Sequence, residues 1–280
     1  MKNIALVISS GGARGLAAIG IIEELENMGY NITSVSGSSI GALIGGVYAT
    51  GNMEKFKKWC CQLNKKDIFK LMDFTISSQG LIKGEKVFTE LKKIIKDVKI
   101  ENLPIPYSAN AVDLLTNKEC VFKSGNLFDA IRASCSIPSL VQPKKIKQRI
   151  LVDGGIINPL PFSNIKRIDN DMLIGINLNN FSNCDLRKTR NLFKNDSTFV
   201  KMFLKHFTVF LNKKHNIGNY IDISYRTFQI MQDTIIKNSI ETYKPDLMIS
   251  IPRDICGILE FDKSKLLIDL GRKACVDSFI

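Results

Sequence analysis

The stretch Val35-Ser36-Gly37-Ser38-Ser39-Ile40-Gly41 constrains this chain more than any other. A strand pattern over residues 31–36 runs into it, and an apolar helix pattern over 40–50 runs out. That is the setting a G-x-S-x-G nucleophile elbow requires: a sharp strand-to-helix turn that lifts one serine into a strained, exposed position. The helix behind Ser39 would aim its N-terminal N–H groups and positive dipole end at an oxyanion forming there. A second reading stands beside this one. Gly37 and Gly41 serve equally well in an ordinary strand-helix turn, where they only permit close packing.

One βα unit earlier, residues 4–9 form a strand that ends in Ser10-Gly11-Gly12-Ala13-Arg14-Gly15. A helix follows over 16–28, with Gly29 as its C-terminal cap. A glycine turn between strand and helix offers bare N–H groups to an anion. It is not a nucleotide loop: G-x-G-x-x-G fails at Ser10, and a P-loop fails because Ile21 follows Gly20 where lysine is needed. What remains is an anion cradle carrying Arg14. Two consecutive βα turns fall on the same C-terminal edge of a parallel sheet, where open α/β folds put their sites. The first loop is therefore placed to give oxyanion donors to the serine on the second. Further on, a strand over 149–152 delivers Asp153-Gly154-Gly155. An acid before two glycines is an ordinary turn, or a carboxylate left facing a cleft.

The other elements expected are a basic helix over 53–63, an irregular stretch over 71–84 and an amphipathic helix over 87–98. A strand over 107–115 turns at Thr116-Asn117 into residues 120–122 as a hairpin. A short helix over 127–134, a core helix over 220–240, a strand over 247–250 and a final helix over 264–279 complete the pattern. Neither a repeat nor a linker divides the 280 residues, so one domain over 1–280 is expected. The chain enters a strand at once and lacks a run long enough for a membrane span, which reads as a cytoplasmic protein with neither signal peptide nor transmembrane segment. The seven cysteines include no C-x-x-C pair, so neither a zinc site nor a disulfide framework is suggested.

Taken together, Ser-Gly-Gly-Ala-Arg-Gly at 10–15, Gly-Ser-Ser-Ile-Gly at 37–41 and Asp-Gly-Gly at 153–155 resemble, in order and spacing, the patatin-like phospholipases. Ala133-Ser134-Cys135-Ser136-Ile137-Pro138 and Asn158-Pro159-Leu160-Pro161 are similar to the segments that bracket that family's aspartate. Residues 261–274 are similar to the C-terminal helix of its small bacterial members. The resemblance implies a three-layer α/β/α fold around a mostly parallel sheet, and hydrolysis of fatty-acyl ester lipids by a Ser-Asp dyad without metal or cofactor. It makes Ser39 the nucleophile and Asp153 its base, with Gly11, Gly12 and Arg14 at the oxyanion hole. Gly15, Gly37, Gly41, Gly154 and Gly155 become the motif glycines. The departure is Ser10, where the family usually has glycine.

The residues favour a dyad on their own account. The chain has two histidines, His206 and His215, and neither stands in a catalytic motif. The order Ser39, Asp153, His206 does match α/β-hydrolases, but those place the elbow after several strands, and here it follows the second.

Residues 181–244 are the least family-like part. Phe199, Val200, Phe203, Leu204, Phe207, Phe210 and Leu211 share one helical face, with Lys201 and Lys205 opposite. Segment 185–215 holds eight Lys/Arg against two Asp/Glu, half of the net charge of +12. A Phe-rich face backed by lysines suits a lid or peripheral contact with an anionic membrane, and equally a helix docked on the core. Three functions fit the whole: a lipid acyl hydrolase, an esterase or thioesterase on soluble acyl substrates, and a non-catalytic lipid-binding protein. Nucleic acid is not an expected partner, because no recognition module accompanies the basic charge.

Overall fold

The computed structural model describes residues 2–75, 80–180 and 217–280. The amphipathic face at 199–211, the wider stretch 192–211 and both histidines lie outside the described residues.

Along the chain come β1 (Lys2–Ile8), α1 (Ala17–Asn27), β2 (Tyr30–Ser38), α2 (Ile40–Ala49), α3 (Met53–Gln62), α4 (Lys65–Leu71) and α5 (Glu85–Ile94). Then follow β3 (Tyr107–Asp113), β4 (Lys118–Phe122), α6 (Leu127–Ser134), β5 (Lys144–Ile146), β6 (Arg149–Asp153) and β7 (Met172–Asn180). The last elements are α7 (Ile217–Tyr243), β8 (Leu247–Pro252) and α8 (Ser264–Asp277).

The strands form one eight-stranded sheet in the order β5-β6-β3-β2-β1-β7-β8, with β4 also paired to β3. Its centre is parallel, from β3 through β2, β1 and β7 to β8, while β4, β5 and β6 add antiparallel pairs. A strand covered on both faces needs apolar residues at every position, and Ile4-Ala5-Leu6-Val7-Ile8 of β1 are all buried. Ile4, Leu6 and Ile8 pack in one layer with α1, α2 and α8, through residues such as Ile19, Ile44 and Leu267. Ala5 and Val7 face the other way, against Leu160, Phe162, Leu173 and Ile236 of α7. The expected three layers, helices on both faces of a mostly parallel sheet, are what the chain forms. Among the described residues, no helix is long and apolar enough to cross a membrane.

Five elements differ from the sequence expectation, the first being the short edge strand β5, which pairs with β6 and was not expected. Helix α4 was not anticipated; Asn64 accepts from the N–H groups of Lys66 and Asp67, and Asp67 bonds back to the Asn64 N–H, a reciprocal cap that starts it. Helix α5 stops at Ile94 rather than at 98. Ile95 leaves the helix in extended form, and the N–H of Leu127 bonds the Val98 carbonyl. Strand β7 carries no sequence signal read above. Helix α7 is only in part a core helix: Ile236 is buried, whereas Ile223 and Ile230 are 66% and 59% exposed.

Candidate active site

The site begins with a shared edge. On β3, β4 occupies one side from Ala109 to Asp113, so β2 and β6 must both lie along the other. They meet end to end there. Ser38, the last residue of β2, pairs with Asn110, and Asp153, the last of β6, pairs with the next residue, Ala111. The residue after Ser38 is Ser39, which is thereby delivered to Asp153.

Ser39 has φ 55° and ψ −122°, a backbone conformation that a residue with a Cβ adopts only under strain. The strain has a geometric effect. Ser39 is the N-cap of α2, where a serine side chain ordinarily bonds the first-turn N–H groups. Here it makes no such bond, and its Oγ donates instead to Asp153 Oδ2 at 2.5 Å. The first-turn N–H groups of α2 are left without a side-chain cap. The Ser39 N–H is held by Ser134 Oγ at 2.8 Å. Gly37 and Gly41 make the turn sterically possible. A Cβ on Gly37 would sit 2.3 Å from the Gly41 backbone, and one on Gly41 would sit 2.3 Å from the Ile8 carbonyl oxygen.

Asp153 is 3% exposed. Burial raises its pKa from the ordinary carboxylate range to about 7, while the bonds from Ser39 and the Gly155 N–H pull the other way. Its Oδ1 accepts the Gly155 N–H at 2.7 Å, and its own N–H donates to the Ser136 carbonyl. The segment Ser134–Ser136 thus holds both members of the pair, with Ser136 itself fixed by the Arg132 guanidinium.

The loop after β1 lies beside this pair, because Ile8 is in register with Gly37 on β2. Among the described residues, the N–H groups of Gly11 and Gly12 have no hydrogen-bond acceptor, whereas that of Ala13 bonds the Ile258 carbonyl. Gly12 has φ +58°, and a Cβ there would lie 2.7 Å from the same carbonyl oxygen. Gly15, Gly154 and Gly155 are also closely packed, against Ile40, Asn110 and Gln232 respectively. Two bare N–H donors and an uncapped helix N-terminus beside a serine–carboxylate pair can receive a developing oxyanion.

Arg14 departs from the expected anion cradle. Its guanidinium is buried and donates to the carbonyls of Leu178, Arg253 and Cys256 and to Asn179 Oδ1. With four of its five N–H groups engaged in this way, the side chain fastens the loop to β7 and to the turn after β8. Asn179 completes that fastening by donating from Nδ2 to the Ser10 carbonyl at 2.6 Å.

Ser134, Asn179 and Gln232 were given no role in the sequence reading. Ser134 falls in the segment 133–138, which is similar to one that brackets the family's aspartate. The other two stand in stretches that carry no motif.

A parallel-centred α/β sheet with a serine–carboxylate pair at the C-terminal ends of its strands defines the class. The family model for patatin-like phospholipase matches residues 6–165. The chain is 32% identical to an uncharacterized NTE family protein of Mycobacterium tuberculosis over 324 aligned residues, covering 96% of this chain and 89% of that protein. It is 27% identical to Lysophospholipase NTE1 of Scheffersomyces stipitis, and 30% identical to patatin-like phospholipase domain-containing protein 6 of Mus musculus. Those matches cover 96% and 66% of this chain but only 17% and 14% of the two larger proteins. The chain belongs to the patatin-like phospholipase family, a family of lipid ester hydrolases.

Proposed function

We propose that this protein is a serine hydrolase of phospholipase A or lysophospholipase type, cleaving fatty-acyl esters of lipids with Ser39 as nucleophile and Asp153 as its only general base. The observation that carries the proposal is the 2.5 Å bond from Ser39 Oγ to a buried carboxylate whose pKa is raised to about 7. A base poised near the working pH is half ionised there, yet far more basic than a solvated carboxylate.

In the first step Ser39 Oγ attacks the ester carbonyl carbon while its proton passes to Asp153. The carbonyl oxygen takes the negative charge, against the N–H groups of Gly11 and Gly12 and the N-terminus of α2. Collapse breaks the ester C–O bond, and the leaving alcohol takes the proton from Asp153. In the second step a water gives its proton to Asp153 as it attacks the acyl-Ser39 carbonyl. Release of the fatty acid returns the proton to Ser39. Arg14 acts in this scheme by fixing the loop, not by touching the substrate.

The experiment is fatty-acid release from a panel of phospholipids and lysophospholipids by wild type, Ser39→Ala and the double variant His206→Ala, His215→Ala. The wild type and the histidine-free variant should release fatty acid at similar rates, and Ser39→Ala should not. Labelling by a fluorophosphonate should disappear with the same serine. A 10³-fold loss on removing the histidines, without unfolding, would make a histidine the base and overturn the role given to Asp153.

A further inference from the structure

One buried side chain of α7 touches both loops of the site and has no part in the chemistry above. Gln232 is 6% exposed, and its Nε2 donates to the Gly155 carbonyl at 2.8 Å and to Ser10 Oγ at 3.2 Å. A primary amide nitrogen carries two hydrogens, so both bonds can form at once. Each acceptor stands one step from a group the reaction needs. Ser10 directly precedes Gly11 and Gly12, and Gly155 gives its N–H to Asp153 Oδ1 at 2.7 Å. The fit is close: a Cβ on Gly155 would come within 2.7 Å of Gln232 Nε2 and 3.1 Å of Ser10 Cβ. Helix α7 is anchored at the adjacent position too, where Asp233 receives both terminal nitrogens of Arg253. The carbonyl of Arg253 in turn accepts from Arg14.

We infer that Gln232 is a positioning residue that fixes the oxyanion loop and the Asp153 loop relative to each other, with Ser10 as its partner on the oxyanion side. The inference rests on the proposed Ser39–Asp153 chemistry and adds a residue that the three sequence motifs do not contain. A glycine at position 10 would leave the second amide hydrogen without an acceptor. Serine supplies one. Gln232 also acts on the base. With its carbonyl held, Gly155 keeps its N–H on Asp153 Oδ1, a bond that favours the ionised carboxylate.

The test is the rate–pH profile of Gln232→Met, which keeps the length of the side chain and removes both donors. Loss of alignment at a reacting centre should lower kcat by roughly 10- to 100-fold with KM little changed. The acid limb should move to higher pH, because the bond to Asp153 that favours its charged form loosens. Ser10→Ala should lower kcat by less and leave the acid limb in place, since the Gly155 bond survives. Adding Ser10→Ala to Gln232→Met should lower kcat no further. Should Gln232→Met fail to fold, Gln232→Asn carries the same expectations, being one methylene too short to reach both acceptors. A folded variant with wild-type kcat and an unmoved acid limb would overturn the inference alone. A wild-type protein that neither releases fatty acid nor labels at Ser39 would overturn the proposed function, and the inference with it.

Discussion

Ser39 and Asp153 are 114 residues apart in the chain and share a 2.5 Å hydrogen bond because their strands end head to head on one edge of β3. Neighbouring residues of β3, Asn110 and Ala111, hold the two ends in register. A slip of one residue in either pairing would turn the side chains to opposite faces. The distance between Ser39 and Asp153 is therefore a property of the sheet rather than of a loop, which suits the proposed roles, since a reacting pair must be held to a fraction of an ångström.

The strain at Ser39 gives the first prediction. A φ of 55° with ψ −122° costs a residue with a Cβ about 1–3 kcal/mol, and glycine pays far less. Both Ser39→Ala and Ser39→Gly should lose fatty-acid release by about 10⁴-fold or more. Ser39→Gly should nevertheless melt higher than Ser39→Ala, by roughly 2–4 °C per kcal/mol relieved in a chain of this size. Equal melting temperatures would mean that the turn is not strained.

The second prediction concerns the rate as a function of pH. In the proposed chemistry Asp153 is ionised when it accepts the Ser39 proton, so kcat/KM should fall about tenfold per pH unit below its pKa and level off above it. The bend should lie near pH 7, where burial has raised the carboxyl. It should persist in the histidine-free double variant. A bend near pH 4 would show a solvated carboxylate and remove the case for Asp153 as a strengthened base.

Much of this was legible in the sequence, for identifiable reasons. Glycine-rich turns that follow a strand and open a helix are local, so the loops at 10–15, 37–41 and 153–155 announced themselves. Strand β1 and the hairpin of β3 and β4 were equally plain from their apolar runs and the turn at Asn117, which has φ 56°. Strand β7 was not. Met172–Asn180 was assigned no element from the sequence, where Gly175, Asn177, Asn179 and Asn180 interrupt its apolar residues. In the fold it lies beside β1, and Asn179 works as a tie to Ser10 and Arg14. The contacts of the Arg14 guanidinium were illegible for a related reason. A cation in a glycine loop suggests an anion nearby, and only the fold reveals the four carbonyl and amide oxygens that use it. Gln232 could not be read at all, since its partners lie 77 and 222 residues away.

Ser134 supplies the third prediction. Its Oγ is the acceptor for the N–H of a strained residue, and both groups are buried. Ser134→Ala leaves that N–H unsatisfied, which costs about 1–3 kcal/mol. It also frees the turn to relax away from Asp153. Thermal stability should fall by that amount, and kcat should drop roughly 10- to 100-fold through lost alignment. A variant that loses stability but keeps its kcat would show that the sheet register alone holds Ser39 in place.

The last prediction separates the base from the fold through pH. In the unfolded chain Asp153 titrates near 3.8, and in the folded protein near 7. Below about pH 4 it is protonated in both states and contributes nothing to the pH dependence. Between these values the unfolded state releases the proton while the folded state keeps it, so stability falls as pH rises. Above pH 7 both states are ionised and the penalty is complete. At about 1.4 kcal/mol per pKa unit, it is on the order of 4 kcal/mol, as an upper limit. Asp153→Asn keeps the shape, still accepts from Gly155 and can donate to Ser39, but carries no charge to bury. It should therefore match the wild type in stability near pH 4 and exceed it by several kcal/mol at pH 8, while losing nearly as much activity as Ser39→Ala. Chemical denaturation of both proteins across this range measures the difference. A gap that is constant with pH would mean that the Asp153 carboxyl titrates alike in the folded and unfolded chain, contrary to its burial.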